Sequence, residues 1–158
     1  MNNTVIGHYT FIDDCVIMGE NVYVGHNVSI GCPSFTYEHF SKRQDEGGVI
    51  IGDNVDIHSN VVIHRGLEGN TVIGDYCKIN SHTFISHDCE LGRNCTIMGS
   101  TILSGHVKVG NNVRINPGVT VGHRVKICDR AEIGAGAVVL KDITTPGLWV
   151  GVPARIVR

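Results

Sequence analysis

His87, Gly105 and His123 stand at equal intervals along the chain, a histidine on either side of a glycine, with Asp88 beside the first and His106 beside the glycine. A neutral imidazole takes a proton from an amine or hydroxyl as that group attacks an electrophile, an effect typically worth about 10² to 10⁴ in rate. Asp88 would orient the His87 ring, or stabilise its charged form, if its side chain folds back. Gly105 has no side chain, so a thioester carbonyl can approach its backbone N–H, as an oxyanion donor requires. These residues form a reaction centre only if the fold brings them together.

A repeat supplies that fold. Within 73–139 an aliphatic residue occupies every sixth position: Ile73, Ile79, Ile85, Leu91, Ile97, Leu103, Val109, Ile115, Val121, Ile127, Ile133 and Val139. Four residues after each comes a small or β-branched one, beginning with Cys77, Thr83 and Cys89. Neither the helical period of about 3.6 nor the strand period of about 2 holds such a register over this length. A fixed hexad is the signature of an all-β parallel β-helix, whose short strands stack turn upon turn. With three hexads per coil, and about four extra residues allowed around 67–70, the hexads from Ile63, Ile85, Leu103, Val121 and Val139 fall in one column. Their third positions are Arg65, His87, Gly105, His123 and Lys141. Strands stack about 4.8 Å apart, which predicts His87 and His123 roughly 10 Å apart on one face.

The rest of the chain agrees with a single domain over 1–158. It is 42% apolar but only 6% aromatic, so the core is built from Val and Ile rather than rings. Hexads begin almost at once, with Ile6, Ile12, Met18, Val24 and Ile30, and Asn27, Asn54, Asn60, Asn94 and Asn112 mark corners where positive φ is tolerated. Residues 32–48 break the rhythm as an ejected loop, and 142–158 form a tail that must cap the last coil against an open sheet edge. Cys77, Cys89 and Cys95 sit where a thiol acts as a small buried hydrophobe, and no C-x-x-C pair suggests a metal or disulfide role. A formal charge of −2 gives no ground for binding nucleic acid or an anionic membrane. With no signal-peptide pattern and no apolar run of about 18 residues, a cytoplasmic protein is expected.

The runs GGVIIGDNVDIHSNVVIHRG and TVIGDYCKINSHTFISHDCELGRNC resemble the left-handed β-helix (hexapeptide-repeat) acyltransferases. The likeness is to the UDP-3-O-acylglucosamine N-acyltransferases and UDP-N-acetylglucosamine O-acyltransferases of lipid A synthesis. That resemblance implies His87 as general base, from the I-[AS]-H-[DN] segment, with Asp88 as its partner and the oxyanion amide on Gly105. LSGHVKV resembles the segment carrying His106, and VGHRVKIC points to His123. The tail PGLWVGVPARIVR resembles instead the short acetyl-CoA-dependent sugar acetyltransferases, including those that N-acetylate UDP-linked 4-amino sugars.

Taken together the resemblance implies acetyl-CoA-dependent N-acetylation of a nucleotide-linked amino sugar in surface-glycan or lipopolysaccharide synthesis, by a homotrimer with sites between subunits. Acetyl-CoA would meet Gly105, His106, His123 and Ala135, with Lys141 and Arg155 near its phosphates. The acceptor would meet Phe35, Tyr37, His64, Arg65 and His82, and the loop aromatics, Phe40 among them, would stack on it or reach a neighbouring subunit. No metal is expected. Over 1–158 neither the C-terminal helices of the lipid A enzymes nor the N-terminal domain of many amino-sugar acetyltransferases is expected, and on that expectation acetyl-CoA is favoured over a long-chain acyl carrier. Sugar O-acetylation and transfer from acyl carrier protein are the alternatives within the class. Outside it stand a γ-type zinc carbonic anhydrase, for which His82 and His87 have the right spacing but Asn60 and Lys42 replace a third histidine, and a non-catalytic trimeric scaffold.

Overall fold

In a computed structural model the described residues, 3–34 and 47–157, contain no helix and form short parallel strands, most of two or three residues. Up to Val138–Val139 every third strand joins the same sheet, and the last two both add to the first, giving three sheets of nine, seven and six strands. The first contains Lys78–Ile79 and Thr96–Ile97, the second Phe84–Ile85 and Ile102–Leu103, the third Glu90–Leu91 and Lys108–Val109. This is the coil of a parallel β-helix, consistent with the left-handed form expected.

The register is the one the hexads predict. Ile85 pairs with Ile63 on one side and Leu103 on the other, Leu103 pairs with Val121, and Val121 with Val139. The extra residues around 67–70 leave the ladder between Ile63 and Ile85 without shifting the faces. Earlier in the chain Ile30 pairs with Ile63 and Met18 with Ile51, so the ladder also resumes in phase after 32–48. Phe35, Tyr37 and Phe40 lie outside the described residues.

Inward positions are sealed: Ile73, Ile85, Leu103 and Val121 are each 0% exposed. Burying such a side chain stabilises by about 1.5–3 kcal/mol, and the stack repeats the contact in every coil. Cys77, Cys89 and Cys95 are buried and free, and burial, the largest influence on Cys89, pushes its thiol up to about 12. Each coil turns through a residue of positive φ at the fourth hexad position. Asn27, Asn54, Asn60, Asn94 and Asn112 do this as expected, but so do His82 (φ 62°), Asp88 (φ 56°), His106 (φ 59°) and Arg124 (φ 60°). A left-handed backbone costs a non-glycine residue roughly 1–2 kcal/mol, borne here by the stacked coils.

The register continues further than the hexads alone suggest. After Val139, Gly147–Val150 adds a parallel strand to Ala131–Ile133 and then pairs antiparallel with Arg155–Ile156. Trp149 packs on the core and donates its indole N–H to the Thr145 carbonyl at 3.1 Å, closing the last coil.

Candidate active site

His87 follows the second-sheet strand Phe84–Ile85 at the corner that leads to the third sheet. Its ring and the Asp88 side chain are both largely buried, and His87 Nδ1 lies 2.8 Å from Asp88 Oδ2. Asp88 also accepts three backbone N–H groups from the insertion: Leu67 at 3.0 Å, Glu68 at 3.1 Å and Gly69 at 2.9 Å. Burial by itself would raise the Asp88 pKa; the hydrogen bonds from His87, Leu67, Gly69 and Glu68 outweigh it and hold the carboxyl below its ordinary value. The carboxylate is therefore ionised and accepts only, so His87 carries its proton on Nδ1 and leaves Nε2 as a bare acceptor.

That acceptor faces Gly105. A Cβ at position 105 would lie 2.6 Å from both Cε1 and Nε2 of His87, and 3.2 Å from Nδ1 of His123. His123 Nε2 accepts the Arg124 Nε–H at 3.1 Å, which places the proton of the neutral His123 ring on Nδ1. The glycine surface is thus flanked by one acceptor and one donor. The two rings are 6.4 Å apart between centroids, closer than the two-coil separation expected, because nothing projects from Gly105 to keep them apart. His106 stands edge-on to both, at 5.0 Å from His87 and 5.2 Å from His123. Burial lowers its pKa, against the opposing pull of Asp88, which keeps the ring neutral near pH 7.

The Gly105 N–H has no acceptor among the described residues. At equivalent corners of the third sheet the amide is taken: Arg93 donates to Asn111 Oδ1 at 2.9 Å and Asn111 to Asp129 Oδ1 at 2.8 Å. In the histidine column the corresponding acceptor is replaced by an imidazole already paired with Arg124. The arrangement combines a buried base, an oriented carboxylate and a backbone donor around one open glycine.

Other residues expected at the site fall into two groups. Arg65, one coil before His87, reaches Asp13 at 3.9 Å, and His64 packs edge-on against Phe84 at 4.8 Å. Lys141 and Arg155 meet in a cavity of about 420 Å³ with Trp149, Pro153 and Ala154. Lys141 lies three coils beyond His87, about 14 Å along the axis. His82 and Ala135, by contrast, follow first-sheet strands and sit on the opposite corner of the second sheet from His87. The His82–His87 pair on which a zinc reading rests is therefore not assembled within the chain. Among the described residues the group with ligand atoms within 4.8 Å of one another is instead His87, Asp88 and His106, and Asp88 Oδ2 already takes the Leu67 and His87 N–H groups.

Sequence reasoning missed the wall beside the dyad. Glu68, Gly69 and Asn70 from the insertion face Glu90, His106 and Lys108 across a cavity of about 270 Å³, with Asp88 in its lining. The only signal in the sequence was the four-residue slip in the repeat.

Comparison with known proteins agrees with the fold. The bacterial transferase hexapeptide (six repeats) family matches residues 70–105 and 106–141. A UDP-3-O-acylglucosamine N-acyltransferase 2 from Legionella pneumophila (strain Paris) is 38% identical over 81 residues, 49% of this chain and 24% of the relative. The chain thus spans about a quarter of the length of the curated relatives it matches. Among solved structures, the UDP-N-acetylglucosamine O-acyltransferase of Moraxella catarrhalis RH4 superposes with a TM-score of 0.78 at 28% identity, over 97% of this chain and 62% of that one. PerB from Caulobacter crescentus, solved with CoA and GDP-perosamine, gives 0.63 at 25% identity over 99% of this chain and 58% of that one. Residues 70–141, a little under half of the chain, thus carry the repeats of the bacterial transferase hexapeptide family, and the hexads and coils agree with that match.

Proposed function

We propose that this protein is an acyltransferase that moves an acetyl group from acetyl-CoA to the amine of a nucleotide-linked amino sugar, in the synthesis of a bacterial surface glycan such as lipopolysaccharide. The observation that carries the reading is the His87–Asp88 dyad, whose free Nε2 faces the open surface of Gly105. The acceptor amine enters the transfer step uncharged, having released one proton to solvent. Its nitrogen attacks the thioester carbonyl, and the oxyanion takes the Gly105 N–H. His87 Nε2 removes a proton from the nitrogen and delivers it to the departing sulfur as the C–S bond breaks, giving amide and thiol with no proton left over. Asp88 holds the ring and balances the imidazolium between these transfers.

The relatives support the class. The matched proteins are named for transfer to UDP-linked sugars, and PerB was solved with CoA and an amino-sugar nucleotide. Transfer to a hydroxyl is the second reading, favoured by the higher TM-score to the O-acyltransferase, and the same base serves it. The reading includes a cytoplasmic homotrimer with sites between subunits; among the described residues no helix is long and apolar enough to cross a membrane.

The test measures CoA thiol release with UDP-, dTDP- and GDP-linked amino sugars and with their hydroxyl counterparts. Amine acceptors should turn over, and His87→Ala should lower kcat by at least about 10² with the circular dichroism spectrum unchanged. Wild-type turnover in that variant would remove His87 from the mechanism. Reaction with the hydroxyl compounds alone would assign O-acylation, and no CoA binding would assign a scaffold.

A further inference from the structure

The insertion does more than hold Asp88. We propose that the 270 Å³ cavity between it and the third sheet is the seat of the acceptor's sugar ring, and that Glu68 is the residue that selects an amine-bearing sugar. This inference rests on the transferase reading above.

Position is the first ground. Asp88, paired with His87, and His106, in ring contact with it, line the cavity, so a ring held there lies beside the His87–Gly105 surface. Size is the second: about 270 Å³ accommodates one hexose ring but not a nucleotide diphosphate as well. The third ground is the state of the walls. Asp88 is saturated by four donors, and Glu90 is paired with Lys108 at 2.9 Å. Asn70 Oδ1 accepts the Gly48 N–H at 2.8 Å, which leaves its amide N–H₂ to donate to a ring hydroxyl. The Glu68 carboxylate accepts no hydrogen bond and forms no ion pair among the described residues; its charge is felt only at the His106 ring, which lines the same cavity. Its backbone N–H is fixed on Asp88, so the side chain is anchored at its base while its head stays available.

A free carboxylate accepts hydrogen bonds and carries negative charge, so it favours an ammonium, then a hydroxyl, and repels phosphate. Nucleotide phosphates must therefore lie outside the cavity. Docking involves no bond making: the amine binds as its ammonium and loses a proton to solvent before the transfer step. Because Glu68 is exposed, the preference should have the modest size of a surface charge pair, about three- to fivefold in affinity.

Binding of small sugars tests this without any turnover. Glucosamine, with glucose and N-acetylglucosamine as neutral controls, is titrated into ¹⁵N-labelled protein at pH 6.5, and the backbone amides of 67–70 and the His106 ring are followed by NMR. The expected result is that glucosamine shifts these signals at about three- to fivefold lower concentration than either control, and that Glu68→Gln abolishes the difference while leaving glucose binding and the melting temperature unchanged. Equal response to all three sugars in the wild type, shifts located elsewhere, or a preference that survives Glu68→Gln would each overturn the proposal. The acetyl-transfer assay fails or succeeds independently: transfer with no Glu68 effect sinks only this inference, and a Glu68-dependent preference with no transfer sinks only the enzymatic reading.

Discussion

Gly105 is the residue on which the proposed chemistry depends most directly. Its φ is outside the left-handed region, so the backbone itself accepts alanine. What alanine would disturb is the space, since the new methyl would lie 2.6 Å from the His87 ring and cover the amide. Gly105→Ala should therefore cost about 10² or more in kcat/KM, the scale of losing an oxyanion donor, with a melting temperature within a few degrees of wild type. Steady-state kinetics and a thermal melt check both halves; an active variant would move the oxyanion elsewhere. At this scale much was legible in the sequence: the hexad register alone stacked His87, Gly105 and His123. The closeness of the rings was not, because it comes from side chains leaning over an empty position, which a count of coils cannot express. Nor was it legible that Asp88 and His106 occupy left-handed corners, which the pattern had reserved for asparagine.

The decisive element is the insertion at 67–70, which turns a pause in the repeat into a clamp. Three consecutive amides converge on one carboxylate, so the loop and the dyad fold together. Asp88→Asn keeps the size but not the charge, and should destabilise by about 1–3 kcal/mol at pH 7, the worth of hydrogen bonds to a charged group. The sign of the pH effect follows from the lowered Asp88 pKa. Its stabilising contribution is complete above about pH 4, where the unfolded carboxyl is also ionised, and is lost as pH falls through the still lower folded value. Urea unfolding of both proteins should therefore show a gap that is constant from pH 7 to about pH 5 and closes toward pH 3. A gap independent of pH would mean that charge plays no part in the clamp. The sequence showed that four residues were extra, and where; it could not show their purpose, because backbone amides are the same whatever the side chains.

At the scale of the whole molecule the three faces differ in what they offer a partner. Outward positions carry Lys78, Arg114 and Glu132 on the first sheet and Glu90, Lys108 and Lys126 on the third. On the second sheet the same ladder reads Val62, Phe84, Ile102, Thr120 and Val138, with no charge in it. Ile102 is 44% exposed there and Leu140 60%, and the stripe borders the corner that carries His87. In the proposed trimer an apolar face of this kind would serve as the contact, and its position would bring a neighbouring copy against the histidine column. The distinction is present in the sequence at the sixth hexad position, but only the assignment of hexads to sheets makes it visible. If the second sheet is the contact face of the proposed trimer, Ile102→Glu places three like charges in the assembly. Sedimentation should then give a monomer, with the β-helix signature kept in circular dichroism and acetyl transfer lost through the missing neighbour. Lys78→Glu on the first sheet, the control, should leave the trimer intact. A trimeric Ile102→Glu protein would assign the contact to another face, and a monomeric wild type would require each chain to complete its site alone.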